Sequence, residues 1–142
     1  MNRPVYALLV VACVGLVACH RSGTNICPEG LSLDEKLSKP GQIVWCRSGD
    51  GKRAQYTEFH PDGKAKRQLC EYRDGQPEGA FSAWMPDGKI WISGQYAAGQ
   101  PDGRWVQRDK DGQRVAEGEY RGGRFVAGAP VASTAVCQKR QP

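Results

Sequence analysis

Between Ile43 and Phe125 apolar and polar residues alternate in short runs, and glycine-rich turns close each run. Ile43-Val44-Trp45-Cys46 is the first such run, and Ala80 to Met85 and Ile90 to Ala97 are two of the later ones. A period of two is the signature of a β-strand, because successive side chains point to opposite faces. It puts Ile90, Ile92, Gly94 and Tyr96 on one face, with Arg114, Ala116, Gly118 and Tyr120 at the equivalent positions further on. Asp-Gly recurs at 62–63, 74–75, 87–88, 102–103 and 111–112. Between apolar runs that dipeptide signals a hairpin, since glycine accepts a positive φ without steric cost. The pattern predicts turns at Pro86-Asp87-Gly88 and at Gly99-Gln100-Pro101-Asp102-Gly103. No helical period exceeds one turn. The expected fold is all-β, a single-sheet antiparallel meander.

The runs also repeat. Leu69 to Phe81 lies over Ser93 to Trp105 at an offset of 24, and Gly118-Glu119-Tyr120-Arg121-Gly122-Gly123-Arg124-Phe125 is a third copy. Such periods mark architectures in which each unit buries its apolar surface against its neighbours. A degenerate first copy places Cys46 and Gly51 over Cys70 and Gly75, with a one-residue change of length before Tyr56. Tyr56, Phe81 and Trp105 then share a position, each seven residues before a glycine. About three 24-residue β-hairpin repeats result. Gly94 and Gly118 fall mid-strand, where glycine weakens a sheet, and an aromatic such as Phe81 or Trp105 laid over the bare backbone would account for them.

The sequence Gly103-Arg104-Trp105, Asp111-Gly112, Gly118-Glu119-Tyr120 and Gly122-Gly123 resembles MORN repeats, in the variant found in antitoxin-like and bacterial lipoprotein families. Cys46 and Cys70 stand where that pattern has glycine, and after Phe125 it decays into Ala127-Gly128-Ala129-Pro130. The resemblance implies a module that binds or scaffolds proteins. At the N-terminus Arg3 precedes a short apolar run, Val5 to Ala18, too short to span the roughly 30 Å of a bilayer's hydrocarbon. Its ending, Leu16-Val17-Ala18-Cys19, resembles a bacterial lipobox, which implies cleavage before Cys19, acylation there and a membrane anchor. His20, rather than Asp, follows Cys19, so the resemblance to lipoproteins of two-membrane cells implies the outer membrane. The chain therefore divides into a signal peptide at 1–18, a lipidated tether and cap at 19–42, the repeat domain at 43–128 and a tail at 129–142.

Composition adds little to this picture. The 142 residues are 39% hydrophobic, enough for one modest core, and the net charge is +5. Basic residues gather in the first unit, at Arg47, Lys52, Arg53, Lys64, Lys66 and Arg67, which reads as a solvated face. Nucleic acid is excluded as a partner by the exported address.

Cys13 and Cys19 belong to the leader and anchor, leaving Cys27, Cys46, Cys70 and Cys137. An even number in a small exported domain implies two disulfides, and no Cys-x-x-Cys exists to hold zinc. If Cys46 and Cys70 are equivalent positions two strands apart, they sit about 9–10 Å from each other. A disulfide needs Cα atoms within about 7 Å, so the expected pairs are Cys27–Cys46 and Cys70–Cys137. The 12 residues from Phe125 to Cys137 can span roughly 40 Å, ample to return over the sheet.

Catalytic chemistry is absent from the pattern. The only histidines, His20 and His60, form no set with a nucleophile, the aspartates are explained by turns, and no cofactor or metal motif is present. Alternation places Trp84 and Trp91 opposite Phe81 and Tyr96, on the wetter face, and makes them the candidate binding surface. The expected function is a non-enzymatic, membrane-anchored lipoprotein whose sheet binds or scaffolds an envelope protein. The alternative is a module for cell-wall or surface polysaccharide, and the family resemblance adds an antitoxin-like or immunity role.

Overall fold

The computed structural model describes residues 26–132 and 137. Nine strands run in chain order across one antiparallel sheet: β1 (Ser32–Leu33), β2 (Ile43–Arg47), β3 (Arg53–Phe59), β4 (Lys66–Arg73), β5 (Gln76–Trp84), β6 (Ile90–Ala97), β7 (Gln100–Arg108), β8 (Arg114–Arg121) and β9 (Arg124–Gly128). Every neighbour in space is a neighbour in sequence, so the sheet is a meander with no crossover.

The two kinds of turn explain the repeat length. At one end, two-residue turns at Asp74-Gly75, Ala98-Gly99 and Gly122-Gly123 recur every 24 residues, and both central residues of each have positive φ. This is the type I′ geometry whose twist matches that of the flanking strands. At the other end the longer Asp-Gly turns are closed by their own aspartates: Asp62 and Asp87 each accept the amide two residues on, at 3.0 and 3.1 Å. Gln100 to Gly103 does not turn, contrary to the sequence expectation. It belongs to β7, and Gly103 takes its φ of 69° at a bulge where four steps of β7 oppose two of β6.

That bulge has a purpose in each unit. Pro77 O accepts from Gly99 N at 2.9 Å, and the Glu78 carboxylate accepts from Ala98 N at 2.8 Å. One unit later Pro101 O accepts from Gly123 N at 2.9 Å, and Asp102 from Gly122 N at 3.1 Å. The Pro-acid-Gly signature thus fastens each turn to the next one.

One rung of the sheet carries the core. Trp45 pairs with Tyr56, Tyr56 with Cys70, Cys70 with Phe81 and Phe81 with Gly94, while Trp105 pairs with Gly118. Trp105 lies over Gly94 so closely that a Cβ there would fall inside the indole. It also stacks on Phe81 at 5.3 Å and meets Tyr96 edge-on at 5.3 Å. Each such pair contributes about 0.5–1.5 kcal/mol beyond the area it buries. Gly118 is covered differently: a Cβ would meet the Ala129 carbonyl at 2.8 Å and the Tyr120 and Phe125 rings at 3.1 and 3.2 Å.

The returning tail lies across this face. Val131 N donates to the Tyr120 hydroxyl at 3.1 Å, Ala132 N to Gln107 Oε1 at 3.0 Å and Cys137 N to the Tyr96 hydroxyl at 3.3 Å. Disulfides join Cys27 to Cys46 and Cys70 to Cys137, with Cα separations of 5.6 and 5.9 Å. Cys46 and Cys70 are not equivalent, however. Cys46 pairs with Gln55, and Gln55 with Glu71, so Cys46 is one residue out of step with the core rung and faces the other way. The cause is that β3 has one residue fewer than β5 and β7 between its turn glycine and its aromatic, because it lacks their bulge.

Candidate functional site

The second face of the sheet is built on the rung next to the core. Val44, Thr57, Leu69, Ser82, Ser93, Val106 and Glu117 pair in succession across six strand boundaries. Near β2 the Cys27 segment reaches this face through the Cys46 disulfide. Across the later strands the rung is small and weakly polar, bordered by Arg104 and Arg108 beside Val106.

A second type of bulge shapes the end of the sheet nearest the long turns. The register slips at Glu58/Phe59, Ala83/Trp84 and Gln107/Arg108, leaving Arg67, Trp91 and Val115 as the extra residues of β4, β6 and β8. An extra residue breaks the alternation and turns the side chain over. Trp91 accordingly packs against the core cluster, on the face that carries Tyr96 rather than the opposite one. The sequence expectation of a wet, open Trp91 paired with Trp84 is corrected on this point. Trp84 stays out of the core cluster, with Lys66 Nζ 5.8 Å from its ring centroid, a contact worth about 0.5–1 kcal/mol at an exposed site.

The two tryptophans nonetheless meet at one cavity. A pocket of about 760 Å³ is lined by both, together with Met85, Pro86, Gln68 and Gln107. That volume lies within the usual range for a small-ligand site, and an apolar lining with a few amides is the usual composition. The ionisable groups at its rim are engaged in structural bonds, except Arg108, whose Nη1 is buried without a hydrogen-bond partner among the described residues. Arg67 pairs with Glu58 at 3.2 Å, Lys110 pairs with Asp111 at 3.0 Å, and Asp109 Oδ1 accepts two turn amides at 2.9 Å. His60 Nε2 bonds the Trp84 carbonyl at 3.0 Å, across the 24-residue repeat. This equips the pocket to hold a ligand through shape, ring faces and amides. Sequence reasoning missed His60 and Gln107, and only a recognised bulge could have signalled them.

Cys19 lies outside the described residues. Among the described residues no helix is long and apolar enough to cross a membrane, and no three His, Cys, Asp or Glu side chains cluster as metal ligands. No family model matches the chain, and no curated protein matches it. A solved structure, the pneumococcal O-GlcNAc transferase GtfA in complex with UDP and GlcNAc, is similar over 72% of this chain and 20% of that one. The TM-score is 0.44 and the identity 12%.

Proposed function

We propose that this protein is an envelope lipoprotein, acylated at Cys19 and held at the outer membrane, whose MORN-like sheet is a binding module for a protein partner. The observation that carries the reading is the asymmetry of the two faces. The aromatic face carries the Cys70-tethered tail, while the second rung from Ser82 to Val106, beyond the reach of the Cys27 segment, has no second layer among the described residues. A single layer whose later strands are uncovered on one side presents surface to a partner without refolding. The test is crosslinking of the intact protein in its own envelope, with Ser82→Arg as the blocking variant. Recovery of one partner from the wild type and not from the Ser82→Arg protein supports the reading. Equal recovery from both refutes it. Labelling with a fatty-acid analogue, lost in Cys19→Ala, tests the anchor.

The Trp84–Trp91 pocket favours a second reading, capture of wall or surface polysaccharide. Co-sedimentation with purified wall polymer that disappears in Trp91→Ala, with the Ser82→Arg variant unaffected, would select it over the first.

A further inference from the structure

On the uncovered face the strands β6, β7 and β8 form a groove of about 630 Å³. Val106 and Ser93 form its floor, Gln95 borders it, and Arg104, Arg108 and Arg114 wall it. Arg108 and Arg114 are directly opposite one another in the register of β7 and β8. Like charges so placed repel, and a sheet ordinarily avoids them or neutralises them. Among the described residues Glu117 is the carboxylate that hydrogen-bonds these arginines, while Glu119, opposite Arg104 in the register, adds a longer-range attraction to Arg104 alone. Glu117 accepts from Arg104 Nε at 2.6 Å through one oxygen and from Arg114 Nη1 through the other, so both of its oxygens are taken. Arg108 gets none: its Nη1 is buried and has no hydrogen-bond partner among the described residues. A buried guanidinium N–H without an acceptor is costly, and the mutual repulsion of the pair adds to it. The groove carries this uncompensated charge on a rigid sheet, where neither strand can move aside.

We infer that this groove binds the carboxylate of an acidic saccharide, with Arg108 and Arg114 forming the clamp. A planar carboxylate matches the guanidinium fork and supplies two acceptors where Arg108 has none. The rest of the lining fits a sugar ring better than a bare ion. The Ser93 hydroxyl and Gln95 amide can exchange hydrogen bonds with ring hydroxyls. Glu117 keeps Arg104 and Arg114 extended along the groove, and the Arg104 hydrogen bond, first among the causes, holds its carboxyl below the ordinary range. It therefore stays ionised and leaves Arg108 as the free arm. Arg108 also lines the tryptophan pocket, whereas Arg114, Arg104 and Ser93 line this groove alone, so Arg114→Gln separates this site from that one.

The full-length chain in detergent is titrated by calorimetry at about 0.15 M salt, where diffuse surface charge is screened beyond roughly 8 Å. The probes are an oligogalacturonate, a neutral oligosaccharide of equal length and inorganic phosphate. The expected result is saturable binding of the oligogalacturonate only. Arg108→Gln should weaken it at least tenfold and Arg108→Lys by less, since the lysine keeps the charge and loses the fork. Arg121→Gln, at the far end of β8, should bind like the wild type. Thermal melts check that each variant is folded, and Arg114→Gln replaces Arg108→Gln if the latter is not. Wild-type affinity in a folded Arg108→Gln or Arg114→Gln protein overturns the inference. So do equal loss in Arg121→Gln, equal binding of the neutral sugar, and displacement of the oligogalacturonate by millimolar phosphate.

Discussion

A single ring and a missing side chain show how tightly this thin core is packed. Trp105 is 4% exposed, and it reaches that burial only because Gly94 leaves the sheet bare beneath it. Gly94→Val should therefore destabilise by about 1–3 kcal/mol, although valine is the better strand former, because the indole must leave its rotamer. Trp105→Ala should lose about 3–5 kcal/mol, and the half-buried Trp91→Ala less than that. Thermal melts of the three variants check the order, and a larger loss at Trp91 would mean that the pocket end, not the central rung, holds the sheet together. Tyr72 supplies a pH handle. Burial, with the nearby Tyr96 phenol adding to it, pushes its pKa up to about 12. A phenol whose folded pKa lies above its unfolded value near 10 stabilises fully below pH 10, and that stabilisation is lost as the pH rises through 12. Melts between pH 9 and 12, beside a tyrosinate absorbance titration, should show stability falling in that window, and less so in Tyr72→Phe.

At the scale of the element, the alternation made the strands legible and the bulges hid their details. Tyr56, Phe81 and Trp105 could be aligned because each keeps its distance to a turn glycine, and the antiparallel meander followed from that alone. Gly103 looked like a turn because glycine after aspartate marks any positive φ, whether in a hairpin or in a strand bulge. Trp91 was misplaced for the related reason that one extra residue reverses every face beyond it, and periodicity cannot see where a register slips. Cys46 and Cys70 are not equivalent positions, yet the expected pairing holds, because a residue facing away is as unable to bridge as one two strands distant. The turns offer a direct test. Ala98 holds a φ of 49° where the neighbouring units use Asp74 and Gly122. Ala98→Gly should raise stability by about 1 kcal/mol, the cost of a left-handed alanine less the extra freedom of an unfolded glycine. Glu78→Ala should lower it by about 0.5–1.5 kcal/mol through the orphaned Ala98 amide. Chemical denaturation of both proteins gives the comparison, and opposite signs are required.

For the whole molecule, the two ends of the sheet are unlike. The chain before β2 folds back on it, with Lys39 bridged to Ile43 and the Ser38 hydroxyl accepting Trp45 N at 3.0 Å, so that edge is closed. At the other edge all five residues of β9 are exposed, and the apolar Phe125 and Val126 stand 44% and 50% open. The order of the strands leaves the covalent links to hold these ends. Opening Cys70–Cys137 by paired serine substitution should cost about 2–5 kcal/mol and free the tail from the Tyr96 and Tyr120 hydroxyls. Proteolysis should then cut the tail before the sheet, whereas simultaneous cleavage throughout would show that the tail is needed for the fold.

The same bridges determine what happens when the chain is pulled from its two ends. Tension entering at Cys27 passes straight to Cys46, and tension leaving through Cys137 departs from Cys70. Strands β5 to β9 are short-circuited, as is the segment before β2, so the load falls on the 24 peptide steps between Cys46 and Cys70. Stretched out, those steps measure roughly 80 Å. In an optical trap the oxidised protein should lengthen by a single event no greater than that contour. Reductant should release further extension from the loops the bridges had enclosed. A protein wired in this way yields at its first hairpin under strain and keeps its remaining strands intact.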